Sequence, residues 1–170
     1  MSKLAFSSTF TTWSHEPVIH LAEKLVSILP DSLTAVFFTS GGSESNDSAI
    51  KLARHYWRLK GKPERKKVIS RKQAYHGVSA GATSATGISE FWDMAGLLVP
   101  DFIHAETPCE IDTKQAINSI QTLIEEEGPE TIAAFIAEPI QGAGGVIIPP
   151  EDYLGEIRII CDKYDILFIA

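Results

Sequence analysis

Phe37-Phe38-Thr39-Ser40-Gly41-Gly42-Ser43-Glu44-Ser45-Asn46-Asp47 joins an apolar run, Ala35 to Phe38, to a helix-patterned stretch, Ala49-Ile50-Lys51-Leu52-Ala53-Arg54. The order is strand, glycine turn, helix N-terminus. Such a junction suits an anion, because glycine lets the backbone approach closely and the first helical amides and the helix dipole favour negative charge. Ser43 is placed either to cap the helix or to give its hydroxyl to a phosphate. The same residues also read as a plain strand-to-helix connection with a serine cap. No Gly-Lys-Ser/Thr follows, so this is not a Walker A loop, and the G-x-G-x-x-G spacing of a dinucleotide fingerprint is missing.

Outward from this junction, apolar runs alternate with amphipathic helical patterns. Val18, Leu21, Ala22, Leu25, Val26 and Leu29 keep helical spacing from Pro17 until Pro30 stops it. After the expected strand 35–39 and a helix from Ser43 to about Leu59, Lys67–Arg71 reads as a strand. The small-residue run Gly77 to Thr86 reads as a tightly packed helix. Asp112 caps a helix that turns Ala116, Ile117, Ile120, Leu123 and Ile124 inward and ends at Gly128-Pro129. Thr131–Ala137 reads as a strand, a helix from about Glu151 buries Leu154, Ile157, Ile160 and Cys161, and Asp165–Ala170 is a last strand. This is the pattern of an α/β fold, a mainly parallel sheet with helices on both faces. Ligands collect at the C-terminal ends of such strands. Those ends carry the Ser40–Ser43 turn, Tyr75-His76-Gly77 and Glu138-Pro139.

Composition narrows the partners. The 170 residues hold 44% hydrophobic and 22% charged side chains, enough for one domain with a real core. A net charge of −7 argues against nucleic acid and anionic membranes as partners. The basic run Lys60–Lys67 contains Gly61 and Pro63 and reads as a solvated loop. Cys109 and Cys161 lie far apart, which fits reduced thiols in a cytoplasmic protein rather than a disulfide framework. No Cys/His group has zinc-like spacing, no apolar run reaches membrane-spanning length, and the N-terminus lacks a signal-peptide core.

A phosphate turn, an aromatic ring and a carboxylate at three strand ends suit a flat, phosphorylated cofactor. Thr39–Asp47, Tyr75-His76-Gly77 and Ala137-Glu138-Pro139-Ile140-Gln141-Gly142-Ala143-Gly144-Gly145, in this order, resemble the class III aminotransferases of the ω-amino acid:pyruvate type. Ser14-His15-Glu16-Pro17 and Leu21–Leu25 fit that family's lead-in, and the resemblance runs from about Phe10 to Ala170. It implies the large domain of a fold-type I enzyme dependent on pyridoxal 5′-phosphate. Gly41, Gly42 and Ser43 would hold the cofactor phosphate, Tyr75 would lie against its ring, His76 would support the loop, and Glu138 would sit beside the ring oxygen. The activity implied is transfer of an amino group from an ω-amino acid or amine to a keto acid such as pyruvate, by a homodimer.

The resemblance also implies two residues that do not match here. The family's pyridinium-pairing Asp follows a strand like Ile166–Ala170, and a Schiff-base Lys lies further on. None of the ten lysines sits in such a motif; Lys51 and Lys72 read as a helix-surface and a loop lysine. Residues 1–170 are therefore expected to be a partial large domain, without the N-terminal segment, the Schiff-base half or the small C-terminal domain. Such a piece is expected to expose apolar surface and associate. The other readings kept open are another reaction on the same scaffold (aminomutase or decarboxylase), a non-catalytic fragment that only oligomerises, and a nucleotide-binding α/β domain.

Overall fold

A computed structural model describes residues 14–108 and 112–170, so Phe6, Phe10, Trp13 and Cys109 lie outside the described residues. The chain divides into two compact units, residues 1–40 and 41–170. In the first, α1 (Glu16–Val26) starts at His15, whose Nδ1 accepts from the Val18 amide at 3.3 Å, with proline in its first turn. Residues 33–39 form no strand, contrary to the reading of 35–39. An apolar run becomes a strand only when a neighbour takes its backbone groups. The sheet of the second unit does not include this run.

The second unit is an α/β layer structure. Its elements run α2 (Gly42–Leu59), β1 (Lys67–Arg71), α3 (Ala80–Ala85), α4 (Glu90–Ala95), β2 (Phe102–Ala105), α5 (Thr113–Glu127), β3 (Ile132–Ile136), α6 (Tyr153–Lys163) and β4 (Leu167–Ile169). The four strands are all parallel, in the order β2-β1-β3-β4. β3 is buried along its whole length, as an inner strand covered on both faces must be. One face of the sheet packs Ile69, Phe135 and Ala137 against Ala116, Ile120 and Ile124 of α5 and Ile157, Ile160 and Cys161 of α6. The other face packs Val68 and Ile136 against Ile50 of α2 and Ala85 of α3.

Asp112 caps α5 by accepting from the Lys114 amide at 2.9 Å. Asp112→Ala is expected to lower stability by about 1 kcal/mol, seen as a lower urea midpoint at unchanged slope. Cys161 is a buried free thiol, pushed up to about 12 mainly by that burial.

The basic run between α2 and β1 is not wholly solvated. Arg65 is buried at the N-terminal end of the sheet. Its Nη1 donates to the carbonyls of Ile132 (3.1 Å) and Asp165 (2.6 Å), and its Nη2 to that of Tyr164 (3.2 Å). Its guanidinium stacks 4.4 Å from the ring centroid of Trp57, whose indole N–H donates to Ala133 O at 2.8 Å. A buried charge needs such complete pairing, which is why one arginine of the run turns inward while its neighbours stay wet.

Candidate functional site

The opposite, C-terminal end of the sheet carries three loops, and α2 begins beside them. Gly41 is the residue before α2, and no side chain caps that helix. Ser43 is therefore not the cap that its position suggests. Its Oγ instead accepts from the amide of Val78 at 2.9 Å, in the loop after β1. With one lone pair taken by that N–H, the Ser43 hydroxyl proton points elsewhere. The amides of Gly42, Ser43 and Glu44 have no intrahelical acceptor, as in any first turn.

The loop after β1 is tied to α2 a second time. Asn46 Nδ2 donates to the His76 carbonyl at 2.7 Å, and the His76 amide donates to Thr86 Oγ1 at 3.0 Å. Between these ties Gly77 has φ +132°, and a Cβ there would overlap the Ser43 hydroxyl and lie 2.9 Å from Ser43 Cα. Only glycine permits this closeness at this backbone angle.

Tyr75 and Glu138 meet directly. The Tyr75 amide donates to Glu138 Oε1 at 2.8 Å, and the Gly142 amide donates to Oε2 at 3.0 Å. The carboxylate is thus held by one amide from each of two loops, while the residue stays half-buried. The Tyr75 ring packs on Phe91 of α4, with centroids 5.6 Å apart and planes at 52°. Behind them Arg71, fully buried, donates from Nη2 to the Glu138 carbonyl and lies 5.6 Å from the ring centroid of Tyr153.

His76 is 5% exposed, and its Nε2 has no hydrogen-bond partner among the described residues. Burial, and then the positive charge of Arg71 and the neighbouring His104, push its pKa down to about 4. A neutral, buried imidazole of this kind moves no protons near neutral pH.

The structure brings Ser43, Gly77, His76, Tyr75 and Glu138 into one connected set, with Gly41 and Gly42 at the adjoining start of α2. Asn46, Arg71, Thr107 and Gln141 belong to the same set and were missed. Asn46 and Gln141 stand inside the quoted stretches without a role of their own, and Arg71 ends the expected strand 67–71 with a charge. Lys51 is exposed on α2, and Lys72 pairs with Glu106 at the exposed side of its loop.

The family model of aminotransferase class III matches residues 2–170. The chain belongs to the class III aminotransferases. It is 40% identical over its whole length to a putrescine–pyruvate aminotransferase of Pseudomonas aeruginosa, of which it covers 40%. A crystal structure of a transaminase from the marine bacterium Virgibacillus superposes with a TM-score of 0.93 at 63% identity, over 98% of this chain and 38% of that one. An ω-transaminase from Pseudomonas jessenii in complex with PMP matches with a TM-score of 0.93 at 40% identity, over 99% and 40% of the two chains. The chain thus spans about two fifths of the length of these relatives. The class III fold, a mainly parallel sheet between helix layers, agrees with the reading from sequence. No helix among the described residues is long and apolar enough to cross a membrane.

Proposed function

We propose that residues 41–170 hold the phosphate and ring of pyridoxal 5′-phosphate in an aminotransferase that moves an amino group from an amine or ω-amino acid to a keto acid such as pyruvate. The observation that carries this reading is the Ser43 hydroxyl. It accepts from Val78 N beside the first amides of α2, which have no acceptor within the helix, so its own proton can turn to an anion at the helix N-terminus. The residues present fit the cofactor. Gly41, Gly42 and Ser43 would take its phosphate, and Tyr75, half-buried beside the Glu138 carboxylate, would face the ring. The Glu44 carboxylate lies over Gly41, 3.0 Å from where a Cβ would stand, and would swing out to solvent as a phosphate arrives.

When bound, the cofactor supplies an electron sink that lets an amino group leave one carbon skeleton and join another. The residues here bind and orient it. His76, neutral and buried, keeps the Tyr75 loop in place and takes no part in proton transfer. The Schiff-base lysine and the pyridinium-pairing aspartate of the family have no match among residues 1–170, so residues outside this stretch would supply them. A cytoplasmic homodimer completes the proposal. The free, buried Cys161 and the dimeric habit implied by the resemblance support it.

The test is equilibrium dialysis of the chain with pyridoxal 5′-phosphate, pyridoxal and ATP. The phosphorylated cofactor is expected to bind tighter than pyridoxal, and ATP is expected not to displace it. Ser43→Ala is expected to weaken the cofactor about tenfold, a hydrogen bond to a charged group, and to leave pyridoxal unaffected. Equal binding of the two vitamers, or displacement by ATP, would sink the proposal.

A further inference from the structure

Gln141 is completely buried, and its side-chain amide bonds to two other loops. Its Nε2 donates to the carbonyl of Lys72 at 2.9 Å, in the loop after β1. Its Oε1 accepts from the hydroxyl of Thr107 at 2.8 Å, in the loop after β2; Thr107 is also fully buried. Its backbone N–H and C=O pair with Ile147 at 3.0 and 2.9 Å, closing the loop after β3 upon itself. One amide side chain therefore fastens the C-terminal loops of β1, β2 and β3 together. Gly144 lets the closed loop press on its neighbour, since a Cβ there would overlap the Gln73 carbonyl.

The two groups that grip the Glu138 carboxylate lie on either side of this fastening. The Tyr75 amide is three residues beyond Lys72, and the Gly142 amide is the next residue after Gln141. Moving one loop by an ångström would pull one of the two amides out of hydrogen-bond range and leave the carboxylate free to turn. We infer that Gln141, with Thr107, is a positioning residue that sets the Glu138 carboxylate and the Tyr75 ring relative to each other by locking three strand-end loops through one buried amide. The role extends the cofactor reading above, because it explains how the ring-side wall keeps its shape. The clamp itself is a property of the chain alone.

The test separates hydrogen bonding from packing. Thr107→Val keeps the volume and removes the hydroxyl, whereas Thr107→Ser keeps the hydroxyl and removes a methyl. Amide exchange is followed in the chain at Tyr75 and Gly142, with Ile120 and Ile157 as core references, and pyridoxal 5′-phosphate affinity is measured beside it. In Thr107→Val, exchange at Tyr75 and Gly142 is expected to speed up, and affinity to fall, by about tenfold, the weight of one buried hydrogen bond, with the references unchanged. Thr107→Ser is expected to stay within about twofold of the parent chain, since the bond persists. Gln141→Leu is expected to exceed Thr107→Val. If it does not fold, the Thr107 pair decides alone. Protection that follows side-chain volume (valine intact, serine loosened), or that stays put in both variants, overturns the inference. If exchange follows the hydroxyl but the parent chain binds no pyridoxal 5′-phosphate, the cofactor reading falls and the clamp stands.

Discussion

Gly77→Ala is expected to lower the stability of the second unit by about 3 kcal/mol and to abolish measurable phosphate-cofactor binding. The size comes from two independent penalties, a side chain forced to φ +132° and a Cβ driven into Ser43, each worth about 1–3 kcal/mol. The overlap involves the Ser43 backbone as well as its hydroxyl, so no rotamer change relieves it. Relief requires the loop to lift away from α2, and that breaks the Val78 N–H to Ser43 Oγ bond. Urea unfolding gives the first number and equilibrium dialysis the second. A variant with parent-like midpoint and affinity would show that the contact of loop and helix is looser than 2.9 Å to Ser43 Cα implies.

Acid should weaken the fold through His76. Its pKa is about 4 in the folded chain, against about 6.5 for a free imidazole, because burial and then Arg71 and His104 oppose its charge. Between these values the unfolded chain binds the proton and the folded chain does not. Stability is therefore full above pH 6.5 and drains away as pH falls toward 4. By pH 5 the loss from this one group is about 2 kcal/mol. His104, also pushed down chiefly by burial, adds in the same direction. Urea midpoints at pH 7 and pH 5, compared between the parent chain and His76→Gln, isolate the effect. The variant should lose less stability on acidification, and parallel pH dependence in both would refute the assignment.

The strength of each local pattern decided what could be read from sequence. Ala116, Ile120 and Ile124 repeat at helical spacing behind a capping Asp112, and α5 forms as that pattern says. The run Ile132–Ala137 has nothing polar to place in water, and it is an inner strand. Phe37 and Phe38 look as strand-like, but pairing is a property of two segments, and one segment's residues cannot declare it. β2 stayed hidden because it is four residues long and has His104 inside it. Arg65 was hidden by its neighbours, since a charge run does not say which member turns inward. At the candidate site, the glycine turn, Tyr75 and Glu138 could be singled out because they stand in order within stretches that resemble one family. Gln141 and Thr107 were not, because a buried amide and hydroxyl matter only through partners 34 and 69 residues away.

Arg65 also sets a schedule for biosynthesis. Its three carbonyl partners belong to Ile132, Tyr164 and Asp165, the last 100 residues downstream. At about 5–20 residues per second, a ribosome exposes the guanidinium roughly 5–20 s before its final acceptors exist. During that interval the nascent sheet carries a hydrated cation at the end it must later seal. The N-terminal end of the sheet therefore cannot be sealed by Arg65 before Asp165 has been made.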